Sequence, residues 1–102
     1  MPMAMHIAGS PISCLACVHC AAATENFLIL ENHSVDIPWW NDLLNGVEKP
    51  IVNKGFIKVP EAPGLGFTSV NEEVIKQHLA EPGYFELTPD WDKERSNDRL
   101  WS

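Results

Sequence analysis

PMAMHIAGSPISCLACVHCAAATENFLILENH, residues 2–33, holds two short apolar runs separated by a helix-compatible stretch. Pro2-Met3-Ala4-Met5 stops at His6, and Phe27-Leu28-Ile29-Leu30 stops at Glu31. Between them Gly9-Ser10-Pro11 reads as a helix start: glycine frees the turn, Ser10 can cap the open amides and Pro11 suits the first helical position. The helix is expected to run through Ile12, Leu15, Ala16, Val18 and Ala21 to about Thr24. It carries no Asp, Glu, Lys or Arg, and a helix apolar on every face is expected to be covered on all sides. Phe27–Leu30 shows no polar alternation, the pattern of a strand buried on both faces in a parallel sheet. A parallel pair needs a crossover of this length, so the segment reads as a βαβ unit.

His6 and Glu31 then stand at matching ends of neighbouring strands. The carboxyl ends of parallel strands are where α/β proteins place ligands and catalytic groups. Strands about 4.8 Å apart bring the two side chains to one mouth. Imidazole has an unperturbed pKa of about 6.5, suited to taking and returning a proton near neutrality. Glu31 can hydrogen-bond a developing oxyanion, or orient a substrate hydroxyl or water. His33 follows on the emerging loop and can face the same space, as a substrate contact or as an ordinary surface residue.

Composition narrows the function classes. The net charge of −7 disfavours nucleic acid and anionic membrane surfaces, both of which call for clustered Lys and Arg. No apolar run approaches the roughly 20 residues that span a bilayer. A secretion signal is disfavoured by the missing basic start and by His6, Pro11 and His19. Cys14, Cys17 and Cys20 are odd in number and close together, which is no disulfide framework and fits a reducing cytoplasm. Their spacing resembles part of an iron–sulfur signature, and His19 adds a possible zinc ligand. There is no fourth cysteine, and residues three apart on a helix form a stripe, so core thiols are the expected outcome. His19 is expected to be a hydrogen-bonded structural residue, and His78 to be solvated.

Charge is also uneven along the chain. Glu25 is the only Asp, Glu, Lys or Arg in the first 30 residues, whereas the stretch from Glu81 onward carries six acids and three bases. A small domain cannot hide so large an apolar share, which points to the interior of something larger. Downstream, a short helix is expected near Asn41–Leu44, closed by Gly46. Pro50–Val52 and Phe56–Val59 flank Asn53-Lys54-Gly55 as a β-hairpin. Pro60–Gly66 reads as a turn. Asn71 is expected to cap a helix over Glu72–Leu79, with acids in its first turn. Residues 84–102 form an extended tail rich in charges and aromatics.

The runs Met5-His6, Gly9-Ser10-Pro11-Ile12, Ala21-Ala22-Ala23, Asn26-Phe27 and Leu30-Glu31-Asn32-His33 resemble the seventh and eighth barrel strands of the enolase superfamily. Within it the chain looks most like the mandelate racemase/muconate lactonizing branch, among the acid-sugar (galactonate- or mannonate-type) dehydratases. Lys49-Pro50-Ile51, Gly55-Phe56, Val59-Pro60 and Pro63-Gly64-Leu65-Gly66 resemble the segment returning from barrel to capping domain. The resemblance implies an α/β fold, the C-terminal portion of a modified (β/α) barrel. Residues 1–46 would end the barrel and 47–102 would return to the capping domain. It implies a hydro-lyase that removes the proton α to a carboxylate and stabilises an enediolate with Mg2+. His6 matches the acid/base histidine, and Glu31 the glutamate that bonds the substrate carboxylate or enediolate oxygen.

A whole barrel needs about 250 residues, and the metal-binding acids of the third to fifth strands have no counterpart in this chain. Met1 would then be an internal methionine or the start of a truncated or split gene. The chain alone is expected neither to bind Mg2+ at a defined site nor to turn over sugar acids. The charge-free helix suggests that the intact enzyme is a homo-oligomer. Three alternatives stay open: racemase or cycloisomerase chemistry on the same enediolate, a small non-enzymatic interaction protein, and a metal or redox module built on the cysteines.

Overall fold

β1 (Met3–Ile7) and β2 (Phe27–Asn32) form a two-stranded parallel sheet, and α1 (Pro11–Ala22) connects them. The βαβ unit expected from residues 2–33 is therefore present in this computed structural model, which describes residues 1–79. Both strands run past their apolar segments, so His6 and Glu31 lie within the ladder rather than beyond it. Register pairs Ala4 with Ile29, Met5 with Leu30, His6 with Glu31 and Ile7 with Asn32. Met3 pairs with Phe27, and an irregularity between Met3 and Ala4 takes up the extra residue, Leu28.

Pro11 opens α1 as expected, but the Ser10 side chain makes no cap bond; the first turn is closed by Cys14 N–H donating to the Ser10 carbonyl at 3.1 Å. The helix ends at Ala22, two residues earlier than expected, where Ala23 N–H turns back onto the His19 and Cys20 carbonyls. Pro11, Cys14, Leu15 and Val18 are buried along one stripe, while Ile12, Ser13, Cys20 and Ala22 are exposed. The expectation of a helix covered on all sides fails among the described residues, because these supply a partner for one face only. For the same reason β2 is not sandwiched: Leu28 and Ile29 are exposed.

Ile7, Cys14, Val18, Trp40 and Ile51 make the core, with Leu30, Ile37, Val47 and Ile57 packed around them. Trp40 is buried and its indole Nε1–H donates to the Gly9 carbonyl at 3.0 Å, tying the stretch after β2 to the loop after β1. The short helix expected at Asn41–Leu44 is a 3-10 turn over Trp40–Leu43. It runs directly into β3 (Leu44–Asn45), which pairs antiparallel with β4 (Ser69–Val70).

The hairpin expected across Asn53-Lys54-Gly55 reduces to its turn. Asn53 and Phe56 exchange both backbone hydrogen bonds, with positive φ at Lys54 and Gly55, as a two-residue turn requires. The flanking strands are absent: only this one rung forms. α2 spans Glu72–Gln77, two residues shorter than expected, and Asn71 caps it through Oδ1, which accepts from Val74 N–H at 3.3 Å. His78 is exposed, as expected, yet its ring stacks on Trp39 with centroids 4.2 Å apart. The expected tail, 84–102, lies outside the described residues.

Candidate active site

His6 and Glu31 are direct register partners on adjacent parallel strands. Partners in a ladder share a face, while their neighbours Ile7 and Asn32 point the opposite way. Ile7 is accordingly buried in the core and His6 is exposed. The same period of two carries His33 to the face of Glu31. His33 N–H donates to the Ile7 carbonyl at 3.1 Å, which extends the ladder by one rung. Asn32 Oδ1 then accepts from Ser34 N–H at 3.1 Å and turns the chain away.

These backbone constraints bring three side chains together. His6 Nδ1 lies 3.2 Å from Glu31 Oε2, and His33 Nε2 lies 2.8 Å from Oε1. The two rings are tilted by 53° with centroids 5.0 Å apart. With an ionised carboxylate as acceptor, both imidazoles donate, which leaves His6 Nε2 and His33 Nδ1 free to meet a ligand. The hydrogen bond from His6, and then that from His33, hold the Glu31 carboxyl below the usual glutamate range. Side-chain exposures of 60% for His6, 59% for Glu31 and 54% for His33 make this an open surface cluster. Neither of two grooves among the described residues, of about 390 and 480 Å³, includes any of the three residues.

The other sequence candidates separate from this cluster. His19 Nε2–H donates to the Leu65 carbonyl at 3.1 Å and pins the 60–66 turn to α1, the structural role expected of it. Cys14 is fully buried, and burial followed by the neighbouring Cys17 pushes its thiol up to about 11, far from a reactive thiolate. Cys17 is half-buried against the core, whereas Cys20 is exposed, so the expectation of core thiols fails for Cys20. Among the described residues, His6, Glu31 and His33 are the one group of three His, Cys, Asp or Glu side chains whose ligand atoms converge.

Comparison with known proteins identifies the family. A family profile described as enolase C-terminal domain-like matches residues 1–74, the whole of the βαβ unit and the segment after it. The chain belongs to that family. Among relatives of this enolase-like domain, a D-xylonate dehydratase of Haloferax volcanii is 40% identical over 81 residues, which cover 79% of this chain and 19% of that protein. A crystal structure of a mandelate racemase/muconate lactonizing enzyme-like protein from Rubrobacter xylanophilus superposes with a TM-score of 0.73 at 37% identity. That match covers 81% of this chain and 21% of that one. The enolase-like chain thus spans about one fifth of the length of these relatives.

Proposed function

We propose that His6, Glu31 and His33 form one wall of the active site of an acid-sugar dehydratase, with residues 1–46 as the last part of its barrel. The observation that carries this reading is the register pairing of His6 with Glu31, which fixes an imidazole against a carboxylate at the mouth of a parallel strand pair. An imidazole held through Nδ1 presents Nε2 in one orientation, the arrangement needed to move a proton. His6 Nε2 would accept the proton α to the substrate carboxylate, or return one to the departing β-hydroxyl. The two events together remove one water and leave an enol.

Glu31 is proposed to orient the two imidazoles. The resemblance implies a further role for Glu31, a bond to the substrate carboxylate or enediolate oxygen, for which the carboxyl would carry a proton. His33 would reach the sugar hydroxyls through Nδ1. Mg2+, which the family resemblance implies, is a hard ion that takes oxygen ligands in octahedral geometry. One carboxylate and two imidazoles do not fit it, so its ligands would come from barrel strands other than β1 and β2. The substrate class proposed is an aldonic acid such as D-xylonate, by similarity to the dehydratase relative. Residues 47–102 would return toward the capping domain, and the intact enzyme would be a cytoplasmic homo-oligomer.

The test is a graft. Residues 1–79 replace the matching segment of the Haloferax volcanii relative, and dehydration of D-xylonate is followed with Mg2+ present. The graft is expected to be active, and His6→Asn to lower its rate by about 10²–10⁴-fold, the usual contribution of a positioned acid/base. The ungrafted chain is expected to be inactive. An unchanged rate in the H6N graft would remove His6 from the chemistry. Exchange of the α-proton with solvent without loss of water would favour racemase chemistry instead.

A further inference from the structure

The His6–Glu31–His33 cluster, to which the dehydratase reading gives proton transfer and orientation, also presents a metal donor set: two imidazole nitrogens and one carboxylate oxygen, one ligand atom from each residue, all within 4.8 Å of one another. We propose that these three side chains form a binding site for a borderline divalent cation, represented by Zn2+, distinct from any Mg2+ site and independent of the dehydratase reading. Two histidines and one glutamate are a known protein ligand set for Zn2+, with the fourth tetrahedral position left to water. At metal–ligand distances of about 2.0–2.2 Å, tetrahedral donors lie roughly 3.4 Å apart. His6 Nδ1 lies 3.2 Å from Glu31 Oε2 and His33 Nε2 2.8 Å from Oε1, each near that spacing, so ligation through one carboxylate oxygen keeps one pair in place and needs the other imidazole to swing toward it.

Rotation of exposed side chains brings the widest pair from its present separation of at most 4.8 Å to that spacing. The backbone that carries them needs no change, because His6 and Glu31 sit in a strand ladder and His33 is held by its bond to Ile7. Imidazole nitrogens select Zn2+, Co2+, Ni2+ or Cu2+ over Mg2+, so the cluster discriminates against the hard ion. Binding replaces the two N–H···O contacts with metal–ligand bonds and occupies the face on which a substrate would sit.

The experiment uses the full 102-residue chain, with Cys17 and Cys20 changed to Ser so that thiols cannot supply the ligands. Competition with a chromophoric chelator measures Zn2+ affinity, and Co2+ substitution reports the ligands through its visible spectrum. One Zn2+ per chain is expected to bind in the micromolar range. His33→Ala and Glu31→Gln are each expected to weaken it by more than about 100-fold, beyond what loss of an outer-shell contact produces. His78→Ala should leave affinity unchanged, and the Co2+ complex should show no thiolate charge-transfer band. Circular dichroism checks that each variant keeps its helical content. Two outcomes would overturn the site: no Zn2+ binding in the C17S/C20S chain, or binding that H33A and E31Q leave intact.

Discussion

Glu31 serves two imidazoles at once, and that sharing sets its ionisation. A carboxylate that accepts two hydrogen bonds is stabilised in its charged form, and the bond from His6 is the larger cause of the lowering. Because the folded-state pKa lies below the unfolded value, the resulting stabilisation is present above the unfolded pKa. It is lost as pH falls through the folded one, in the acid range. A carbon-13 titration of the Glu31 carboxyl is expected to have its midpoint below that of glutamate in a short peptide. The midpoint should move up in His6→Ala and again in the H6A/H33A double variant. A peptide-like midpoint in the parent chain would mean that the cluster does not hold in solution. Two members of this cluster were legible as strand-end residues; the third follows from spacing, since His33 is two residues beyond Glu31 and a strand returns to the same face every second residue.

At the scale of elements, the βαβ unit was readable because each of its parts has a local cause. Continuous apolar runs make the strands, Pro11 starts the helix, and the crossover length fixes the parallel pairing. What stayed hidden depends on partners distant in sequence. β3 and β4 are two residues each, too short for any periodicity, and Leu44–Asn45 meets Ser69–Val70 only because the chain between them folds back. The turn at Lys54-Gly55 was legible from its residues, but its flanks carry Pro50 and Pro60, which cannot donate to a ladder, and one rung is all that forms. The Trp39–His78 stack likewise joins two segments that look unrelated in sequence.

Trp40 is the joint between these elements, fully enclosed and bonded to Gly9. Trp40→Ala is expected to cost about 3–5 kcal/mol, as for other buried aromatic truncations. Trp40→Phe keeps an aromatic ring, though a smaller one, and leaves the Gly9 carbonyl without its indole donor, which alone costs about 1–3 kcal/mol. Urea denaturation of the grafted protein measures both, and equal midpoints for W40A and the parent would show that this contact is not structural.

Over the molecule as a whole, apolar surface is left open among the described residues. Phe56 is 80%, Leu28 66% and Ile29 57% exposed, and a groove of about 480 Å³ runs between α1, β2 and the 52–59 stretch. Surfaces of this kind mark interfaces or aggregation sites. The isolated chain is expected to bind a hydrophobic dye and to self-associate as concentration rises, by light scattering, while keeping helical circular dichroism. A dispersed monomer with a sharp cooperative melt and no dye binding would instead favour the independent interaction protein. No helix among the described residues is long and apolar enough to cross a membrane.

The irregularity between Met3 and Ala4 has a consequence for how this sequence can change over generations. From Ala4 to Ile7 the ladder runs without interruption, and a residue gained or lost there would turn His6 to the opposite face and set Met5 or Ile7 across from Glu31. Upstream of Ala4 the pairing already absorbs one extra residue. Insertions and deletions are therefore tolerable at the entry to β1 and ruinous between Ala4 and His6, so the mutational history of the strand should be permissive before that stretch and frozen within it.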